Sequence, residues 1–177
     1  MTRIRVAAIA ATAFLFAAPT LAFAHITLET PEAAAGGYYK AVLRVPHGCA
    51  GSATTGIRVQ IPDGVQEAKP MPKPGWKLDV KKVKLQQPYQ DEGTTITEDV
   101  GEIDWSGGNL PDSYYDEFVF RAKLPATEGK TLYFPVIQTC AKGEEKWIEI
   151  PAEGQGEDSV ETPAPALKLG KKTDSDD

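Results

Sequence analysis

The chain has 177 residues, 41% of them hydrophobic and 25% charged, with a formal net charge of −6 at pH 7. That acidity argues against nucleic acid and against an anionic membrane surface as partners. No Gly-x-Ser-x-Gly elbow, phosphate loop, paired-cysteine zinc pattern or dinucleotide fingerprint occurs, so hydrolase and nucleotide chemistries have no marker.

In chain order, residues 1–24 read as a targeting segment. Arg3 and Arg5 form a positive n-region, residues 6–18 a short apolar run, and Ala22-Phe23-Ala24 the small-x-small pattern of a signal peptidase site. A rival cut after Ala22 would place Thr20 at the −3 position, a poorer fit. Cleavage before His25 leaves about 150 residues, the length of one domain. Loss of the two arginines makes that domain two charge units more negative. No later apolar stretch approaches the roughly 20 residues of a membrane helix, so no membrane span is expected after processing.

The rest of the chain reads as strands and turns. Tyr39, Ala41, Leu43 and Val45 alternate with Tyr38, Lys40, Val42 and Arg44, and Ile57, Val59 and Ile61 repeat the period before a Pro62-Asp63-Gly64 turn. Trp76, Leu78 and Val80 follow, then Phe118, Phe120 and Ala122. Leu132, Phe134, Val136 and Gln138 lead into Cys140, and Trp147, Ile148 and Ile150 form a last run. Gly-Ser, Pro-Asp-Gly, Ser-Gly-Gly-Asn and Lys-Gly-Glu turns separate them. The expectation is an all-β, immunoglobulin-like antiparallel β-sandwich of about 7–9 strands. It should span residues 25–152 and be followed by an acidic, partly disordered C-terminal segment, residues 153–177, within which Thr162-Pro-Ala-Pro-Ala-Leu167 is apolar enough to lie against the domain. Met71 reads as a packed loop residue rather than a copper(I) ligand, since no second thioether remains in the processed chain.

Cys49 and Cys140 are the only cysteines, and an isolated pair in an exported chain predicts a disulfide. Only two histidines occur. As the processed N-terminus, His25 offers a free α-amine and its own Nδ1, which close one chelate ring on a single metal without help from the fold. The amine loses its proton near pH 8, and copper(II) favours such nitrogen donors. The bland reading is an exposed, idle residue left by the peptidase. His47, in Pro46-His47-Gly48-Cys49, sits between a rigid proline and the expected disulfide. It reads either as a second ligand or as a loop histidine bonded to backbone carbonyls. Glu29, on the same strand face as His25, reads as solvated.

Several segments resemble the YcnI-like copper-binding proteins. They are Ala24-His25-Ile-Thr-Leu-Glu-Thr-Pro, Tyr38-Tyr-Lys-Ala-Val-Leu-Arg-Val-Pro-His-Gly-Cys49 and Pro70-Met-Pro-Lys-Pro-Gly-Trp76, with Ile103-Asp-Trp-Ser-Gly-Gly108, Phe134-Pro-Val-Ile-Gln-Thr-Cys140 and Pro163-Ala-Pro165. The resemblance runs from His25 to about Leu169. It implies an extracytoplasmic, periplasmic β-sandwich that binds copper(II) through the N-terminal histidine and acts in copper trafficking, with copper-transport membrane proteins as partners. In the family a glutamate and a tryptophan complete the site. Trp147 matches the tryptophan, as a neighbour packed over the metal rather than a ligand. The glutamate has no match, because His-Gly-Cys stands where relatives are acidic. That departure makes His47 the preferred second ligand. Trp105 reads as core.

Two other functions compete with this non-enzymatic reading. A histidine-brace copper monooxygenase would use the same donors, but no row of exposed aromatics for a polysaccharide surface is evident. An immunoglobulin-like interaction module would make the N-terminal histidine incidental.

Overall fold

The computed structural model describes residues 25–172. The expected signal segment, residues 1–24, and the last five residues lie outside the described residues. Twelve strands are formed: β1 (Thr27–Leu28), β2 (Glu32–Ala34), β3 (Tyr38–Val45), β4 (Thr54–Gln60), β5 (Gln66–Pro70) and β6 (Lys77–Asp91), then β7 (Thr94–Leu110), β8 (Asp116–Lys123), β9 (Thr131–Tyr133), β10 (Val136–Cys140), β11 (Glu144–Trp147) and β12 (Ala166–Gly170). A 3-10 turn at Glu157–Ser159 is the one helical element among the described residues.

The strands make two main sheets, ordered β1-β3-β8-β5 and β11-β10-β4-β7-β6, and a small third sheet ordered β2-β12-β9. Alternation along β3 and β8 turns Tyr39, Ala41, Leu43, Val45, Phe118, Phe120 and Ala122 inward. There they meet Ile57, Val59, Ile103, Trp105 and Val136 of the second sheet, all buried. One face of each sheet is apolar, so stacking the two buries both, which is the physical basis of a sandwich. The period of two read from the sequence is therefore the core pattern itself. Val42, expected to face outward, is also buried, at 2% exposure.

The structure differs from the sequence reading in five further places. The expected 7–9 strands become twelve among the described residues, because short strands such as β1, β2, β5, β9 and β12 are added, and β6 and β7 form one long hairpin arm that the sequence pattern does not reveal. Most arm residues from Lys81 to Glu98 are exposed, so no apolar period marks them. Its tight turn uses Glu92 and Gly93, both at positive φ (45° and 83°), the backbone of a type I′ turn without the usual Asn-Gly or Asp-Gly. Ser106-Gly107-Gly108-Asn109 is not a turn. It lies within β7, where Gly107 (φ 72°) and a register shift against β4 mark a bulge. Trp76 packs over Gly108 so closely that a Cβ there would lie 2.1 Å from the indole.

The sandwich also continues past residue 152. β12 is inserted between β2 and β9, parallel to the first and antiparallel to the second, with Leu167 and Leu169 fully buried. Residues 162–167 do lie against the domain, but the strand that follows from Ala166 is too short to stand out within the acidic segment. The run from Trp147 through Ile148 and Ile150 is not one strand: β11 ends at Trp147 and both isoleucines are exposed. The Met71 side chain is 54% exposed rather than packed. Its backbone is what the fold uses, donating to Val119 O and accepting from Trp105 Nε1 at 3.0 Å.

Candidate metal centre

Buried Ile26 and Leu28 anchor the start of the chain as β1, with Thr27 opposite Arg44 in antiparallel register. Extending that register by two residues sets His25 beside Pro46, at the end of β3. His47 follows immediately. The third member arrives from the other sheet: β11 pairs with β10, Trp147 opposite Val136, which turns the indole inward at 5% exposure. The His25 and Trp147 ring centroids are 5.8 Å apart, tilted by 56°, and those of His47 and Trp147 are 6.4 Å apart, edge-on. The three residues picked from sequence, drawn from three strands' ends, thus meet at one place.

The loop holding His47 is locked on several sides. Cys49 is disulfide-bonded to Cys140 at the end of β10. Cys49 and Ser52 exchange backbone hydrogen bonds across Ala50 and Gly51, whose φ values of 47° and 80° make a tight turn. The Gly48 N–H donates to Asp112 Oδ1 at 3.0 Å. A Cβ on Gly48 would lie 1.9 Å from the Ser52 carbonyl oxygen, so only glycine fits between His47 and Cys49.

The His47 Nδ1 bonds to the Gly48 carbonyl. A carbonyl only accepts, so this bond requires the proton on Nδ1 and makes Nε2 the ring nitrogen with the metal-binding lone pair. This is the loop histidine of the bland reading, and the same bond fixes the tautomer a ligand needs. Trp147 spends its indole N–H on Gln138 Oε1, at 2.9 Å. It contributes a ring and no ligand atom.

Glu29 pairs with Arg44 at 3.2 Å, with both side chains substantially exposed. It behaves as the solvated carboxylate expected. Among the described residues, no group of three or more His, Cys, Asp or Glu side chains is placed to hold a metal ion together. Side chains alone therefore offer two imidazoles. A third donor has to come from elsewhere, and an α-amine on a processed His25 is the one the chemistry offers. The donor set fits copper(II) on that condition.

Sequence reading missed two residues. Asp112, which holds the Gly48 amide, lies far along the chain and carries no local signal. Gln138 did carry one: a polar residue in the inward row of Val136, itself 0% exposed.

Comparison with known proteins follows the same lines. The family model described as "Domain of unknown function (DUF1775)" matches residues 25–169. No curated protein matches the chain. A solved structure, an uncharacterized protein from Nocardia farcinica with an immunoglobulin-like fold, is 31% identical with a TM-score of 0.61. The match covers 82% of this chain and 98% of that one. The expected immunoglobulin-like fold is thereby shown.

Proposed function

From a chain that belongs to the DUF1775 family, the domain of the YcnI-like proteins, we propose an extracytoplasmic copper(II)-binding protein of copper trafficking or homeostasis, not an enzyme. The observation behind it is that the chain's only two histidines both lie against Trp147. Processing before His25 supplies the α-amine. His25 then donates through that amine and Nδ1, and His47 donates through Nε2. Such a three-nitrogen set would suit the tetragonal preference of copper(II) better than copper(I) or zinc. Trp147 covers the site and restricts water on that side.

The location is part of the proposal. A disulfide joining the site loop to β10 fits an oxidising compartment. No helix among the described residues is long and apolar enough to cross a membrane. The acceptor, on this reading, is a copper-transport protein in the membrane.

A carrier is preferred to a monooxygenase because the exposed aromatics form no row: Tyr114 and Tyr115, just before Asp116 opposite Val45, lie at the His47 end, while Tyr38 opens β3 at the opposite end. The test is copper(II) titration of the processed protein, its first residue verified by mass spectrometry, with an ascorbate-driven oxygen assay alongside. Stoichiometric binding without oxygen turnover above free copper supports the carrier. Absence of copper binding refutes it.

A further inference from the structure

The Gln138 side chain reaches both Trp147 and the backbone of the His47 loop. Its Oε1 accepts from Trp147 Nε1 at 2.9 Å. Its Nε2 donates to the His47 carbonyl at 2.7 Å and to Thr54 Oγ1 at 2.7 Å. The indole nitrogen only donates and the carbonyl only accepts, so the carboxamide has a single allowed orientation. Both of its N–H groups are used, and it is fully buried.

This bridge ties together four elements. Thr54 starts β4, Gln138 lies in β10, Trp147 ends β11, and His47 follows β3. Two residues beyond Gln138, Cys140 makes the disulfide that holds the other end of the His47 loop. A polar side chain in a sandwich core is costly unless fully bonded, and an apolar residue would pack there with less demand. Packing alone therefore does not account for a glutamine at this position. Its bonds go to the two groups that flank the site.

We propose that Gln138 is the positioning residue of the metal centre, its carboxamide fixing the Trp147 ring and the His47 main chain in one mutual geometry. This rests on the copper reading above. Removing the carboxamide while keeping side-chain length leaves Trp147 Nε1–H and the His47 carbonyl without their bridge. Both the indole and the imidazole then gain freedom, and metal capture has to order them.

The test compares processed wild type with Gln138→Met and Gln138→Glu at a temperature where circular dichroism shows each fully folded. Gln138→Met removes both bonds. Gln138→Glu keeps an acceptor for the indole but, when ionised, loses the donor to His47. Trp147→Phe identifies the Trp147 indole N–H signal among those of the three tryptophans. In the metal-free protein, Gln138→Met shifts that signal and Gln138→Glu shifts it less. Copper(II) affinity falls at least tenfold in Gln138→Met, with an altered nitrogen hyperfine pattern. A merely structural glutamine would lower the melting temperature and leave affinity and spectrum unchanged. That result overturns the proposal while leaving the copper reading intact. Failure of wild type to bind copper overturns the copper reading, and the proposal with it. If Gln138→Met does not fold, Gln138→Glu and Trp147→Phe decide alone: unchanged affinity and spectrum in both overturns the bridge.

Discussion

The imidazole of His25 and the indole of Trp147 lie 5.8 Å apart, one just ahead of the first strand and the other closing the eleventh. The ring is thus fixed by the fold, but the amine beside it depends on processing. A protein carrying Met or Ala ahead of His25 loses that amine as a donor. Its copper(II) affinity should fall at least a hundredfold, about 2.7 kcal/mol. Competition titration against a chromophoric chelator checks it, and equal affinity for the extended and processed forms would place the metal elsewhere.

The Cys49–Cys140 disulfide closes a loop with a sequence separation of 91 and anchors the His47 loop. On the chain-entropy model such a crosslink is worth about 4.6 kcal/mol. Replacing both cysteines by alanine should cost a large part of that in urea unfolding, and copper binding should weaken because the loop loses one tether. Two free thiols in the unreduced, denatured wild type would refute the pairing.

Gly48→Ala sets a methyl 1.9 Å from the Ser52 carbonyl oxygen, an acceptor in the tight turn. Backbone has to move, at a cost of about 2 kcal/mol or more. Copper affinity should drop along with stability, because His47 is the next residue. Wild-type stability in denaturant titration would show that the loop is slack.

Away from the site, Asp104 faces Asp79 across β7 and β6, with Arg58 on its other side. Burial, opposed by Arg58 and reinforced by Glu102 and Asp79, raises its carboxyl above the usual value of 3.8. A folded-state pKa above the unfolded one means that the folded state binds the proton more tightly. The resulting stability is present at low pH and is lost as pH rises through the folded pKa. Asp104→Asn should therefore raise the melting temperature modestly at pH 7, with the gain shrinking below about pH 4. A gain that is equal at pH 3 and pH 7 would rule out this electrostatic cause.

How far the sequence goes depends on which side chains the fold buries. Phe118, Phe120 and Ala122 alternate because one face of β8 is core, so the strand is legible. The β6–β7 arm has no buried face over much of its length, and its register rests on the Glu92-Gly93 turn and on bonds such as Tyr89 to Asp99. None of these leaves a periodic trace. At the site, His25 was readable because its chelate chemistry is local, and Trp147 because a family resemblance pointed to it. Asp112 was not, since its bond to Gly48 spans much of the chain. Gln138 occupied a core period in plain view, and its polarity there was the available clue.

The measurement closest to the central claim is electron paramagnetic resonance of the copper(II)-loaded, processed protein, wild type beside His47→Ala. With His25 and His47 both donating, wild type shows a tetragonal signal with three nitrogens. His47→Ala then loses one of them, and its affinity falls at least tenfold, about 1.4 kcal/mol. An identical hyperfine pattern and affinity in the two proteins would contradict the account, leaving His47 as a loop histidine bonded to Gly48 and nothing more.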